Sequence, residues 1–145
     1  MLLAALSLSC AGSFELSQEE QTSLGLAMAQ PLTFTVPRDR SLETWDRALN
    51  FMDRYSSMKL RSVTDSLLVT YETPTYQQVP SPVERGSGIR FGYTISRAST
   101  REGISMSVRC APSSKVGERD ADQNAHIAAY YILTGSIACA RCIVR

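Results

Sequence analysis

Residues 90–110, RFGYTISRASTREGISMSVRC, decide the fold of this chain. Phe91, Tyr93 and Ile95 alternate with Arg90, Thr94 and Ser96. After a polar turn over 98–103, Ile104, Met106, Val108 and Cys110 alternate with Ser105, Ser107 and Arg109. Apolar residues at every second position mark a strand with one buried face. Two such runs joined by a short turn predict an antiparallel hairpin with one apolar side. That side has to be covered by other elements.

The neighbouring sequence supplies the cover. Leu32, Phe34 and Val36 alternate with Thr33 and Thr35 between Pro31 and Pro37, which reads as another half-buried strand. Leu42, Trp45, Ala48, Leu49, Met52 and Tyr55 recur at three- and four-residue steps and form a helical stripe. Ser41 is the expected N-cap, Glu43 suits the first turn, and Glu43 with Arg47 makes an exposed pair four apart. Val63 followed by Leu67, Val69 and Tyr71 reads as one strand, with Asp65-Ser66 as a turn or bulge inside it. Residues 74–89 carry three prolines and two glycines and read as a loop. A second helix is expected from a cap at Asp120 or Asp122. Ala121, Ala125, Ala128, Ala129 and Ile132 would face inward, and Gly135 would close it.

The expected class is α+β, an antiparallel sheet of about four strands covered on one face by two helices in the order β-α-β-β-β-α. Residues 31–145 make a single domain ending in a cysteine-containing tail. The chain has 145 residues, 43% hydrophobic and 20% charged, which is ordinary for a globular domain able to bury a core. Net charge is +1, and thirteen of its fifteen basic residues are arginines scattered along the chain. Such a balance argues against nucleic acid as a partner.

The N-terminus carries the clearest statement about location. An apolar run ends in Ser9 and is followed by Cys10 and then Ala11-Gly12-Ser13. This arrangement resembles a bacterial lipoprotein signal, in which residues 1–9 are removed and Cys10 is acylated. No Lys or Arg precedes the run, a gap that a start codon further upstream would explain. Residues 10–30 are then a lipid-anchored tether, with a short helix expected near Glu19 to Met28. The expected location is the bacterial cell envelope, with the membrane reached through the lipid anchor. No other stretch has the 18 apolar residues that a spanning helix needs.

Leu32–Val36, the Trp45-centred helix, the segment from Val63 to Tyr71 and the hairpin ending at Cys110 together resemble the helix-grip modules of bacterial envelope lipoproteins. The lipoprotein component of the β-barrel assembly machine is of this type. The resemblance spans about residues 31–136. It implies a non-enzymatic module that binds an envelope protein.

Candidate chemistry centres on cysteines. Cys139-Ala-Arg-Cys142 has the spacing of a redox dithiol, but such pairs act at helix N-termini, and this one follows a helix. Cys110, Cys139, Cys142 and His126 have the ligand types of a Cys₃His zinc site, so zinc is the alternative cofactor to none at all. The favoured expectation is a disulfide from Cys110 to Cys139 or Cys142, tying the tail to the sheet. His126 is the single histidine and falls on the flank of the second helix. No Gly-x-Ser-x-Gly elbow is present. Tyr76, in the long loop, and Tyr130, opposite the alanine face, are the candidate partner surface.

Overall fold

The structure, a computed structural model, describes residues 15–70 and 89–145. The chain runs α1 (Gln18–Ala29), β1 (Thr33–Val36), α2 (Ser41–Tyr55), β2 (Leu60–Val63), β3 (Leu67–Thr70), β4 (Phe91–Ser99), β5 (Ile104–Pro112) and α3 (Glu118–Thr134). The strands form one antiparallel sheet in the order β1-β5-β4-β3-β2. The class is α+β, as expected.

The hairpin of β4 and β5 sits at the centre of this sheet, with Tyr93 opposite Cys110 and Ile95 opposite Val108. Phe91, Tyr93, Ile95, Met106 and Val108 are all buried. Gly103 in its turn has φ +153°, and a Cβ there would lie 2.4 Å from the Val36 carbonyl oxygen. The missing side chain lets β1 run close against the turn.

Five strands form instead of four. The segment read as one bulged strand is two, β2 and β3, joined at Thr64–Ser66. The Thr64 hydroxyl accepts from the backbone N–H groups of Ser66 and Leu67 at 3.2 and 2.9 Å, and Thr64 N–H donates to the Leu67 carbonyl at 2.9 Å. A threonine closing the turn on its own side chain favours a reversal over a bulge. The inward phase of β3 also differs. Leu68 and Thr70 are buried, while Leu67 and Val69 are only partly so. Leu68 pairs with inward Ile95, and paired residues share a face. The Thr70 hydroxyl accepts from Tyr93 N–H at 2.9 Å, which satisfies it within the core.

The helices pack on the inward face. In α2, Thr44, Trp45, Ala48, Phe51 and Met52 are buried, whereas Leu42, expected inward, is 74% exposed. The helix starts at Ser41 itself, after a 3₁₀ turn over Arg38–Arg40, so Ser41 is its first residue and not its cap. The expected Glu43–Arg47 pair forms. In α3 the five expected residues are buried, together with Asn124, Ile127 and Tyr131. It begins at Glu118 behind Gly117, earlier than the expected aspartate caps, and Gly135 ends it at φ +79°. Phe51 joins the layers, its ring centroid 5.5 Å from Tyr93 and 5.9 Å from Tyr131.

A third helix, α1, lies in the stretch read as tether. Ser17 and Glu20 form a capping box at its start, and Ala27 is fully buried at its end. It packs against α3. His126 Nδ1 donates to the Gln30 carbonyl at 2.8 Å and pins its exit. The folded unit therefore starts near residue 17. Among the described residues, no helix is long and apolar enough to cross a membrane.

Candidate functional site

The cysteine-bearing tail after α3 is held by several side chains. Cys139 and Cys142 form a disulfide with their Cα atoms 5.2 Å apart. Cys110 is a free thiol. The expected bridge from Cys110 to the tail is thus replaced by one inside the tail. The cause is local: the 3₁₀ turn Ala140–Cys142 brings two cysteines three apart to bonding distance. Closing so small a loop costs little entropy.

The bridged turn and the residues after it contact every helix. Gln123 Nε2 donates to the Cys142 carbonyl at 2.8 Å. Asn124, fully buried on α3, donates from Nδ2 to the Val144 carbonyl at 2.8 Å and accepts from Val144 N–H at 3.0 Å. A side-chain amide used this way mimics a strand partner. Arg141 pairs with Glu20 of α1, its Nε 2.8 Å from Oε1. Arg145 reaches the Arg54 carbonyl of α2 at 3.3 Å. Ala138, Cys139 and Ile143 are buried beneath these contacts. The Arg141 guanidinium beside Glu20 holds its carboxyl at about 2, well below the usual carboxylate range.

Cys110 lies beside Tyr93 and Asn124. Burial pushes its thiol up to about 12, against smaller opposing contributions from the polar side chains of those two residues. The Tyr93 hydroxyl is buried without a hydrogen-bond partner among the described residues. Burial, first, and the neighbouring Cys110, second, raise its pKa. A thiol in this setting is protonated and unreactive.

The other sequence candidates are dispersed. His126 donates to Gln30 and has Nε2 3.7 Å from Asp122, a contact within α3 and its flank. Among the described residues no three His, Cys, Asp or Glu side chains form a group able to hold a metal, so the expected zinc ligands are not brought together. Tyr130 is half-buried and packs against the core, not exposed as expected, because α1 and α2 as well as the sheet surround α3. Cys10 and Tyr76 lie outside the described residues.

Comparisons with protein-family models, curated proteins and solved structures found no match.

Two features present in the sequence are not among the expected candidates, and a Ser-x-x-Lys motif in particular was not expected. Ser56-Ser57-Met58-Lys59 has the Ser-x-x-Lys spacing of some acyl-transfer enzymes. It follows α2 instead of opening a helix, and the Ser56 hydroxyl is closed on its own turn, donating to the Met58 carbonyl at 3.1 Å. Met58 N–H also donates to the Ser56 hydroxyl at 3.2 Å, and among the described residues that hydroxyl makes no hydrogen bond to Lys59, the contact a nucleophile and base pair needs. The second feature is Arg97, which takes the inward position after Phe91, Tyr93 and Ile95. A charge where the period-two pattern calls for an apolar residue was the available signal.

Proposed function

We propose that this chain is a non-enzymatic, lipid-anchored protein of the bacterial envelope whose disulfide-locked domain binds an envelope partner. One observation carries the reading: the closed Cys139–Cys142 bridge, in a turn held by α1 and α3. Disulfides persist in oxidising compartments. A lipoprotein signal at Cys10 sends a protein to such a compartment, so two separate parts of the sequence agree.

The fold adds a geometric consequence. Because α1 belongs to the folded unit, the tether shrinks from residues 10–30 to residues 10–17. Eight residues span at most about 28 Å. An acylated Cys10 then keeps the start of α1, and the Arg141-bearing tail joined to it, close to the membrane. The helices pack on one face of the sheet. Its other face carries Thr33, Thr35, Thr94, Ser96, Ser105 and Ser107, small uncharged groups, with Arg109 opposite Thr94. The run of elements from β1 to α3 also keeps the order behind the helix-grip resemblance, with one strand added.

The test is fractionation of a bacterium expressing the full chain beside its Cys10→Ser variant. The proposal expects the wild type in the membrane fraction, released only by detergent, and the variant in the soluble envelope fraction. Membrane association that survives Cys10→Ser removes the anchor from the account.

A further inference from the structure

Arg97 makes an unusual set of contacts for a residue on a central strand. Its Nε donates to the Asp65 carbonyl, and its Nη1 lies 3.3 Å from both the carbonyl and the hydroxyl of Ser41. Its guanidinium carbon sits 4.5 Å above the Trp45 ring. All of these acceptors are uncharged. Among the described residues no carboxylate pairs with Arg97, and Nη2 has no acceptor. Taking a guanidinium partly out of water without a counter-ion is costly, and an apolar side chain would pack on Trp45 as well.

The group borders a cleft of about 420 Å³ between the start of α2, the turn from β2 to β3, and the end of the central hairpin. Ser41 and Ser66 offer hydroxyls there, and Ala98 and Ile104 form an apolar wall. The positive end of α2, a helix of 15 residues, points the same way electrostatically as Arg97. The Asp65 carboxylate borders the same cleft and forms no ion pair among the described residues. No salt bridge joins it to Arg97, so the cleft holds one guanidinium and one exposed carboxylate that do not contact each other directly.

We propose that this cleft binds a small zwitterion, such as an amino acid or short peptide, with its carboxylate on Arg97 and its ammonium on Asp65. A carboxylate accepts from Nη2 and from the serine hydroxyls, bonds strengthened by the charge on both partners. Asp65 makes the site unfavourable for a simple anion and favourable for a ligand carrying both signs. The inference is independent of anchoring at Cys10.

Trp45 is the single tryptophan, so its emission reports directly on the guanidinium stacked over it. The full chain is titrated, at constant ionic strength, with alanyl-alanine, acetate, ethylammonium and inorganic phosphate. Alanyl-alanine is expected to give a saturable change, with acetate at least about tenfold weaker, as the loss of one charge-assisted contact implies. Ethylammonium and phosphate should be weaker still. Arg97→Gln should abolish the response, and Asp65→Asn should reduce alanyl-alanine to the level of acetate. Asp65 is exposed, so its variant decides the matter even if Arg97→Gln does not fold. Phosphate binding as tightly as alanyl-alanine, no saturable response to the dipeptide, or equal dipeptide affinity in Asp65→Asn would overturn the proposal.

Discussion

Breaking the tail disulfide gives a loss of stability whose size reports the connectivity. Cys139 and Cys142 are three apart in sequence. Closing a loop of about four residues removes chain entropy worth about 2 kcal/mol at 25 °C. A bridge from Cys110 to either tail cysteine would close a loop of about thirty residues and contribute about 3.7 kcal/mol by the same relation. For a chain of this size, about 2 kcal/mol lowers Tm by roughly 4–8 °C. The perturbation is the double variant Cys139→Ala/Cys142→Ala, compared with wild type and with Cys110→Ala. Urea unfolding followed by Trp45 fluorescence and by circular dichroism supplies the free energies. The double variant should lose about 2 kcal/mol, with the folded baseline unchanged, since Asn124 and Gln123 still hold the tail. Cys110→Ala should lose about 1 kcal/mol, the ordinary cost of a mild core truncation. A loss near 3.7 kcal/mol that Cys110→Ala reproduces would refute the local bridge.

Other consequences are open to measurement. Asn124→Ala removes two hydrogen bonds to Val144 and should cost about 2 kcal/mol, with faster amide exchange at Val144. Phe51→Ala empties a fully buried ring site between the sheet and α3 and should cost about 3–5 kcal/mol in urea unfolding. Because the Glu20 carboxyl is depressed to about 2 in the fold, its contribution is present above the ordinary value of 4.5 and is lost as pH falls through about 2. Glu20→Gln should abolish that acid-linked loosening of α1 from the tail, as read by amide exchange between pH 5 and 2. The raised Cys110 pKa, about 12 against 9, lowers the thiolate fraction about a thousandfold at neutral pH. Native alkylation should slow by that order relative to the urea-unfolded chain. Because the shift favours the neutral thiol, its stabilising effect is present below pH 9 and is lost as pH rises through 12.

The central hairpin was legible because its two strands alternate cleanly, and β1 for the same reason. The alanine face of α3 was legible from its helical spacing. Where apolar residues are contiguous, the pattern gives no phase: Leu67, Leu68 and Val69 could turn either way, and pairing with Ile95 decides for Leu68. In α2 the buried arc is centred on Trp45, Ala48 and Met52, and it takes in Phe51, while Leu42 falls beyond the cover at the helix start. Helix α1 has no apolar stripe. Its docking depends on Ala27, on the His126 bond to Gln30 and on the pair of Glu20 with Arg141, all contacts between residues far apart in sequence. The cysteine pairing was hidden for a related reason. Inward alternation correctly placed Cys110 on the sheet but says nothing about where the tail turns. Arg97 was visible as an exception to the strand pattern, yet its setting emerges only once Ser41, Asp65 and Trp45 surround it.

The most direct test of the account is the intact mass of the protein isolated from cell envelopes, denatured and alkylated without reductant. A mass that lacks the first nine residues, carries acyl groups and holds one alkyl label, mapped by peptide analysis to Cys110, is the predicted result. An unprocessed N-terminus without acyl groups, or labels on Cys139 and Cys142, would contradict a lipid-anchored, disulfide-locked domain.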